Sequence, residues 1–182
     1  VLHVNKITLL LAKLENPPVD PVDLNQILKE LLGNAKLSSP LKFEVQEAFS
    51  KDAVILGHAD KLKQAFLNIV INSVQAMNES SQKLLKVSTR IENENVVVSV
   101  KDTGCGMKAE TKKKMFEPFV TTKPKGTGLG LAITHKILES HAAKIFVESE
   151  EGLGTEFVIS FPRKSVDRRH QPVENKGLGE SA

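Results

Sequence analysis

Two asparagines four residues apart, Asn68 and Asn72, stand inside the helical pattern "KLKQAFLNIVINSVQAM", although asparagine is a mediocre helix former. On a helical wheel of about 100° per residue with Asn68 at zero, Asn72 falls near 40° and Gln75 near −20°, while Leu62, Phe66, Ile69, Val70 and Met77 gather at about 100–200°. The amides therefore share one face, opposite an apolar stripe. A wetted surface is the commoner use of such a face. The chemical use is to present amide oxygens to a hard cation such as Mg²⁺ held against phosphates.

A second stretch, "DTGCGM", follows an apolar strand directly. Asp102 emerges at the strand end, and Gly104 and Gly106 let the chain turn and admit a flat ligand close to the backbone. A carboxylate there can accept a hydrogen bond from an exocyclic amine such as that of adenine. The same letters also make an ordinary Asp-Thr-Gly turn.

The third stretch, "KPKGTGLGLA", spaces Gly126, Gly128 and Gly130 two apart. That spacing fits neither the P-loop nor the dinucleotide fingerprint, and the lysines precede the glycines. A helix follows at once, so its first N–H groups suit phosphate oxygens. A mobile lid is equally compatible with this composition.

These stretches need elements to hold them. "VDLNQILKELLGNAKL" puts Leu24, Ile27, Leu28, Leu31 and Leu32 on one stripe, with Asp23 as cap and Gly33 near the end, which predicts an amphipathic helix. "LKFEVQEA" and "AVILG" read as neighbouring strands, and a second helix runs from about His58 to Met77. "KLLKVSTRIENENVVVSVKD" predicts a hairpin turning at Glu92-Asn93-Glu94-Asn95. A short basic helix covers Glu110 to Met115, another helix covers Gly128 to His141, and "AKIFVESE" with "GTEFVISFP" forms a closing strand pair. Strand pairs alternating with helices predict an α+β fold, a mixed or antiparallel sheet with helices on one face.

The bulk properties set limits. A chain of 182 residues with 40% apolar content suffices for one core. The formal net charge of +3 is scattered apart from Lys112, Lys113, Lys114 and residues 163–170, which gives no case for nucleic acid or membrane as a partner. The single cysteine, Cys105, can make no internal disulfide and fits a reducing compartment. "ITLLLAKL" is too short to span a bilayer and breaks at Asn16-Pro17-Pro18, so a soluble, cytoplasmic protein is expected. Residues 1–16 read as the end of a preceding helix, 22–162 as one domain, and the polar tail 163–182 as disordered.

Taken in order, "NIVINSVQAM", "DTGCGM", "FEPFVTTK" and "GTGLGLA" resemble the asparagine, first glycine, phenylalanine and second glycine boxes of the histidine-kinase catalytic and ATP-binding domain. "GLGTEFVISFP" is similar to that family's closing strand. The pairing of "NSVQAM" with "PFVTTK" looks most like the nitrogen-regulation and oxygen-sensing branch. The wider superfamily includes DNA gyrase, Hsp90 and MutL.

The resemblance implies a two-layer α/β sandwich of the Bergerat type, with a mixed sheet, about three helices on one face, and ATP with Mg²⁺ between the asparagine helix and a lid. It implies Asn68 and Asn72 as metal ligands, Asn72 the safer, with Asn68 also catalytic. Asp102 matches the adenine-binding aspartate, with Gly104 and Gly106 shaping that end and Thr155 beside the base. Phe116 and Phe119 match the lid anchors. Thr122, Gly126, Thr127, Gly128, Leu129 and Gly130 match the phosphate-facing loop. Many members carry a lysine where this chain has Gln75, and Lys123 is the candidate replacement for that cation.

The implied activity is a protein-histidine kinase of a two-component phosphorelay, with ATP and ADP, a histidine-bearing dimerisation domain and a downstream response regulator as partners. None of His3, His58, His135, His141 or His170 has the phosphoacceptor setting of the family, so transfer to a histidine on another domain is expected rather than autophosphorylation by this chain alone. Residues 1–16 would then end the dimerisation helix. Hydrolases of the gyrase or Hsp90 kind place a glutamate where Asn68 stands, to activate water, which argues against that reading. A nucleotide-binding pseudokinase module and a protein-serine kinase of the same superfamily are the alternatives.

Overall fold

The computed structural model describes residues 19–121 and 126–163. Along these the chain forms β1 (Asp20–Asp23), α1 (Leu24–Ser38), β2 (Glu44–Phe49), β3 (Val54–Gly57), α2 (Ala59–Ala76), β4 (Leu84–Glu92), β5 (Asn95–Asp102), α3 (Ala109–Lys114), α4 (Gly130–Ser140), β6 (Lys144–Glu150) and β7 (Gly154–Pro162). Five strands make one sheet in the order β2-β4-β5-β7-β6, with β2 parallel to β4 and every other pairing antiparallel. The expected mixed sheet is thus present. The expectations for residues 1–16 and 164–182 lie outside the described residues, while Arg163, assigned to the tail, donates its N–H to Glu94 O at 2.9 Å.

Alternation decides which face of the sheet is covered. Leu85 and Val87 of β4, Val96, Val98 and Val100 of β5, and Phe157, Ile159 and Phe161 of β7 point one way. They share one core with Leu24, Leu28 and Leu32 of α1, Phe66, Ile69 and Val70 of α2, and Leu138 of α4. Each such side chain, fully buried, contributes about 1.5–3 kcal/mol of transfer free energy. The opposite face carries exposed Lys86, Arg90, Lys101, Lys144 and Glu148. The three longer helices therefore lie on one face.

Three local readings change. Gly33 does not end α1, which runs to Ser38; a Cβ at Gly33 would meet nothing within 4 Å, so the glycine is tolerated on an open face. Asp23 does cap this helix, its carboxylate accepting the N–H groups of Asn25 and Gln26. Second, β2 and β3 are consecutive but not paired: β3 pairs antiparallel with β1, while β2 pairs with β4. The chain leaves β2 still bound to β4, because Ser50 N–H donates to Thr89 O and Thr89 Oγ1, both at 3.1 Å. Asn25 completes the stitch, donating from Nδ2 to Ser50 O at 2.8 Å and accepting from Thr89 Oγ1 at 2.7 Å. Third, β1 has no counterpart in the sequence reading; four residues with one buried side chain, Val22, carry too little pattern.

The end of α4 is tied to the start of α2 by one imidazole. His141 Nδ1 donates to Ile137 O at 2.7 Å, serving one of the unpaired carbonyls at the helix end, and Nε2 accepts the N–H of His58 at 3.0 Å. Gly57 makes room: a Cβ there would stand 2.7 Å from His141 Cδ2. Both ring nitrogens are satisfied in the neutral form, so a second proton would set donor against donor. Burial pushes the His141 pKa below its ordinary 6.5, opposed by the Ile137 bond and reinforced by the nearby positive charges of His58 and Lys61. The unfolded chain then takes up the proton first, so this contribution to stability is present above pH 6.5 and lost as pH falls below it. Urea midpoints at pH 7.5 and 5.5 should show a decline that is flatter in His141→Gln, and His141→Ala should cost about 1–2 kcal/mol at the higher pH. Equal pH slopes in wild type and His141→Gln would refute the assignment.

Candidate functional site

A cavity of about 580 Å³ opens between α2, the turn after β5, the segments either side of residues 122–125, and the start of β7. Its size is that of a small-molecule site. Asn68, Asn72 and Gln75 line it from α2, Asp102 and Gly106 from the turn, Gly126, Thr127, Gly128 and Gly130 from the glycine loop, and Thr155 from β7. The sheet register explains the last pairing, because Asp102 of β5 lies opposite Thr155 of β7. Gly104 and Leu129 do not line the cavity. Thr122 and Lys123 lie outside the described residues.

Asp102 is 1% exposed, and a buried carboxylate needs donors around it. Its Oδ1 accepts the N–H of Gly104 at 2.9 Å and that of Thr155 at 3.3 Å. Gly104 is required for packing rather than for ligand approach: a Cβ there would stand 2.6 Å from Ala76 Cβ and 2.7 Å from Asp102 Oδ1. The turn is fixed on both sides, with Cys105 N–H donating to Ala76 O at 3.0 Å and Gly152 N–H to Cys105 O at 2.7 Å. Gly106 adopts φ +65°, and a Cβ there would lie 1.9 Å from Glu150 O. The carboxylate is thus held by backbone N–H groups of its own turn and of β7, and the turn is pinned in place by α2 and by the β6–β7 connection.

Asn68 and Asn72 do not play equal parts. A carbonyl can only accept, so the contact at 3.0 Å between the Asn68 amide and Gly130 O fixes Nδ2 as donor; it also reaches Thr134 Oγ1 at 3.3 Å. Thr134, fully buried, donates to Gly130 O at 2.9 Å. Asn68 thereby fastens the first turn of α4 to α2. That first turn has no capping side chain, since Leu129 at the N-cap makes no side-chain bond, and unpaired N–H groups at such an end attract anions.

The phenylalanines also divide. Phe116 packs on the core and against the His135 ring, 4.8 Å between centroids. Phe119 is 76% exposed and adopts φ +68°, so it holds the loop by backbone rather than by its ring. Its N–H donates to Gly128 O at 3.0 Å, and a Cβ on Gly128 would come within 2.4 Å of Phe119 C.

The apolar wall of Ile71, Met107, Met115, Leu131 and Phe157, together with Ser73 and Cys105, is absent from the sequence-based set. Ser73 had a usable signal: at about 140° on the wheel it is a hydroxyl within the apolar stripe. Among the described residues no group of three or more His, Cys, Asp or Glu could hold a metal, and no helix is long and apolar enough to cross a membrane.

A family model described as "Histidine kinase-, DNA gyrase B-, and HSP90-like ATPase" matches residues 57–165, more than half of the chain. Sporulation kinase C of Bacillus subtilis (strain 168) is 38% identical over 160 residues, which is 86% of this chain and 37% of that protein. The nucleotide-free catalytic domain of the histidine kinase ThkA superposes with TM-score 0.68 at 31% identity, covering 80% of this chain and 95% of that one. Full-length ShkA in complex with AMPPNP gives TM-score 0.67 at 30% identity, covering 79% of this chain and 31% of that one.

Proposed function

Because the chain belongs to the histidine kinase-, DNA gyrase B- and HSP90-like ATPase family, we propose that it is the ATP-binding catalytic domain of a two-component sensor histidine kinase. In this reading it passes the γ-phosphoryl group of ATP to a histidine on a separate dimerisation domain, for onward transfer to a response regulator in the cytoplasm. The observation that carries it is the single cavity shared by a buried carboxylate, Asp102, and by the amides of Asn68 and Asn72 beside the start of α4. The likeness to sporulation kinase C and to the ThkA catalytic domain supports it.

Asp102 accepts the adenine amine, and Thr155 stands beside it. The α4 start and the glycine loop receive the phosphates. Mg²⁺, when bound, neutralises phosphate charge. Asn72 would hold it with Asn68 alongside, the remaining ligands being phosphate and water, which suits a cation that needs few protein ligands. The γ-phosphorus leaves the β-phosphate oxygen and bonds to a ring nitrogen of the acceptor histidine, releasing ADP. Such transfer asks for alignment and charge neutralisation more than covalent help. Asn68 cannot take a proton from water, and its amide nitrogen is engaged with Gly130, which favours transfer over hydrolysis.

Incubating the chain with Mg²⁺–ATP and the dimerisation domain of its own kinase should yield acid-labile, base-stable phosphate on a histidine of that domain. ATP binding without transfer would instead identify a pseudokinase module. Lys123→Ala should slow transfer about 10-fold or more while leaving ADP affinity within about 3-fold, because a lysine on the γ-phosphate acts mainly in the transition state. Equal loss in both would remove Lys123 from that role.

A further inference from the structure

Among the described residues, two buried side-chain oxygens lack a hydrogen-bond partner, Ser50 Oγ and Ser73 Oγ. Ser50 belongs to the stitch between β2 and β4. Ser73 is 1% exposed and lines the cavity. Folding alone gives no reason for it: serine is a poorer helix former than alanine, and a buried hydroxyl without a partner is a net cost.

Its place along α2 assigns it to the Asp102 end. Ser73 is three residues before Ala76 and so shares its side of the helix. Ala76 abuts the Asp102 turn through its carbonyl bond to Cys105 and its contact with Gly104. Ser73, Asp102 and Thr155, at 1%, 1% and 7% exposure, are three buried polar side chains that line this one cavity beside apolar Phe157 and Met115. An ionised carboxylate only accepts, whereas a serine hydroxyl can donate. Adenine presents a donor, its amine, next to an acceptor, a ring nitrogen on either side.

We propose that the Ser73 hydroxyl donates to a ring nitrogen adjacent to the adenine amine, directly or across one water, and so reads the base together with Asp102. Guanine carries an oxygen where adenine has the amine and meets the carboxylate acceptor to acceptor. Ser73 is a specificity residue for the nucleotide, and the inference rests on the ATP-binding reading above.

The test is a cycle on the whole chain by calorimetry, with ATP, 1-deaza-ATP and 7-deaza-ATP as ligands and Ser73→Ala as the variant. Wild type should bind one of the two deaza analogues about 3- to 10-fold more weakly than ATP, the range of one net hydrogen bond. Ser73→Ala should bind ATP weaker by a similar factor and no longer distinguish ATP from that analogue. Without nucleotide the variant should melt at the same or a higher temperature, since it loses an unpaired hydroxyl, so affinity falls with no loss of stability. Undiminished discrimination in Ser73→Ala, or unchanged ATP affinity, would overturn the proposal. A wild-type chain that binds none of the three nucleotides would overturn the ATP reading itself, and this one with it.

Discussion

Replacing Asp102 with asparagine should lower ATP affinity on the order of 100-fold. In the proposed ATP site the carboxylate serves both the turn and the base. Its Oδ1 accepts the N–H groups of Gly104 and Thr155, and the amide oxygen of asparagine can accept both. The other terminal atom becomes an NH₂ group, which turns a donor toward the donor of adenine. The cost is a charge-assisted bond plus a repulsion, about 3 kcal/mol together. Calorimetric titration checks it. Affinity within a factor of two of wild type would show that the carboxylate serves the turn alone.

A large loss of stability is expected for Gly154→Ala. Gly154 adopts φ +103°, and a Cβ there would stand 2.1 Å from Asp102 O and 3.1 Å from Thr103 Cα. Neither the left-handed conformation nor the contact can be relieved by rotating a side chain, because the obstacle is the backbone of β5. Overpacking and backbone strain together predict a loss of about 3 kcal/mol or more. Gly152, two residues earlier in the same turn, provides the comparison. It adopts φ +86° but has nothing within 4 Å, so Gly152→Ala should cost only about 1–2 kcal/mol. Urea midpoints rank the two variants, and the reverse order would refute the steric argument. ATP affinity should fall with stability only in Gly154→Ala, since Thr155, the next residue, is bound to Asp102.

Much of this site is legible because its signals are local. The faces of α2 follow from its own period, Asp102 from the strand it ends, and the loop side of the cavity from glycines that open a helix. What is not legible depends on segments far apart in sequence. The partner of β2 is decided by Ser50 meeting Thr89 and Asn25, a contact no alternation within β2 can encode. His141 reaches His58 across 83 positions. Gly104 looks like a ligand-facing glycine in the motif and is in fact spacing for Ala76. Phe119 matches a box position, yet its exposed ring and left-handed backbone assign the work to its N–H. Ser73 was visible on the wheel as a polar residue in an apolar stripe, a mismatch whose meaning appears only when the cavity is known.

The parallel pairing of β2 with β4 also bears on how the chain folds. A parallel pair needs a long connection, and here that connection contains β3 and all of α2. The helix that carries Asn68, Asn72 and Ser73 is therefore enclosed by the crossover. Its cavity-facing geometry depends on strands distant in sequence having closed around it, a non-local arrangement that forms slowly compared with a helical hairpin. Binding competence should accordingly be acquired in the last cooperative step of folding, so that the rate at which ATP binding returns after dilution from urea reads the formation of the whole sheet.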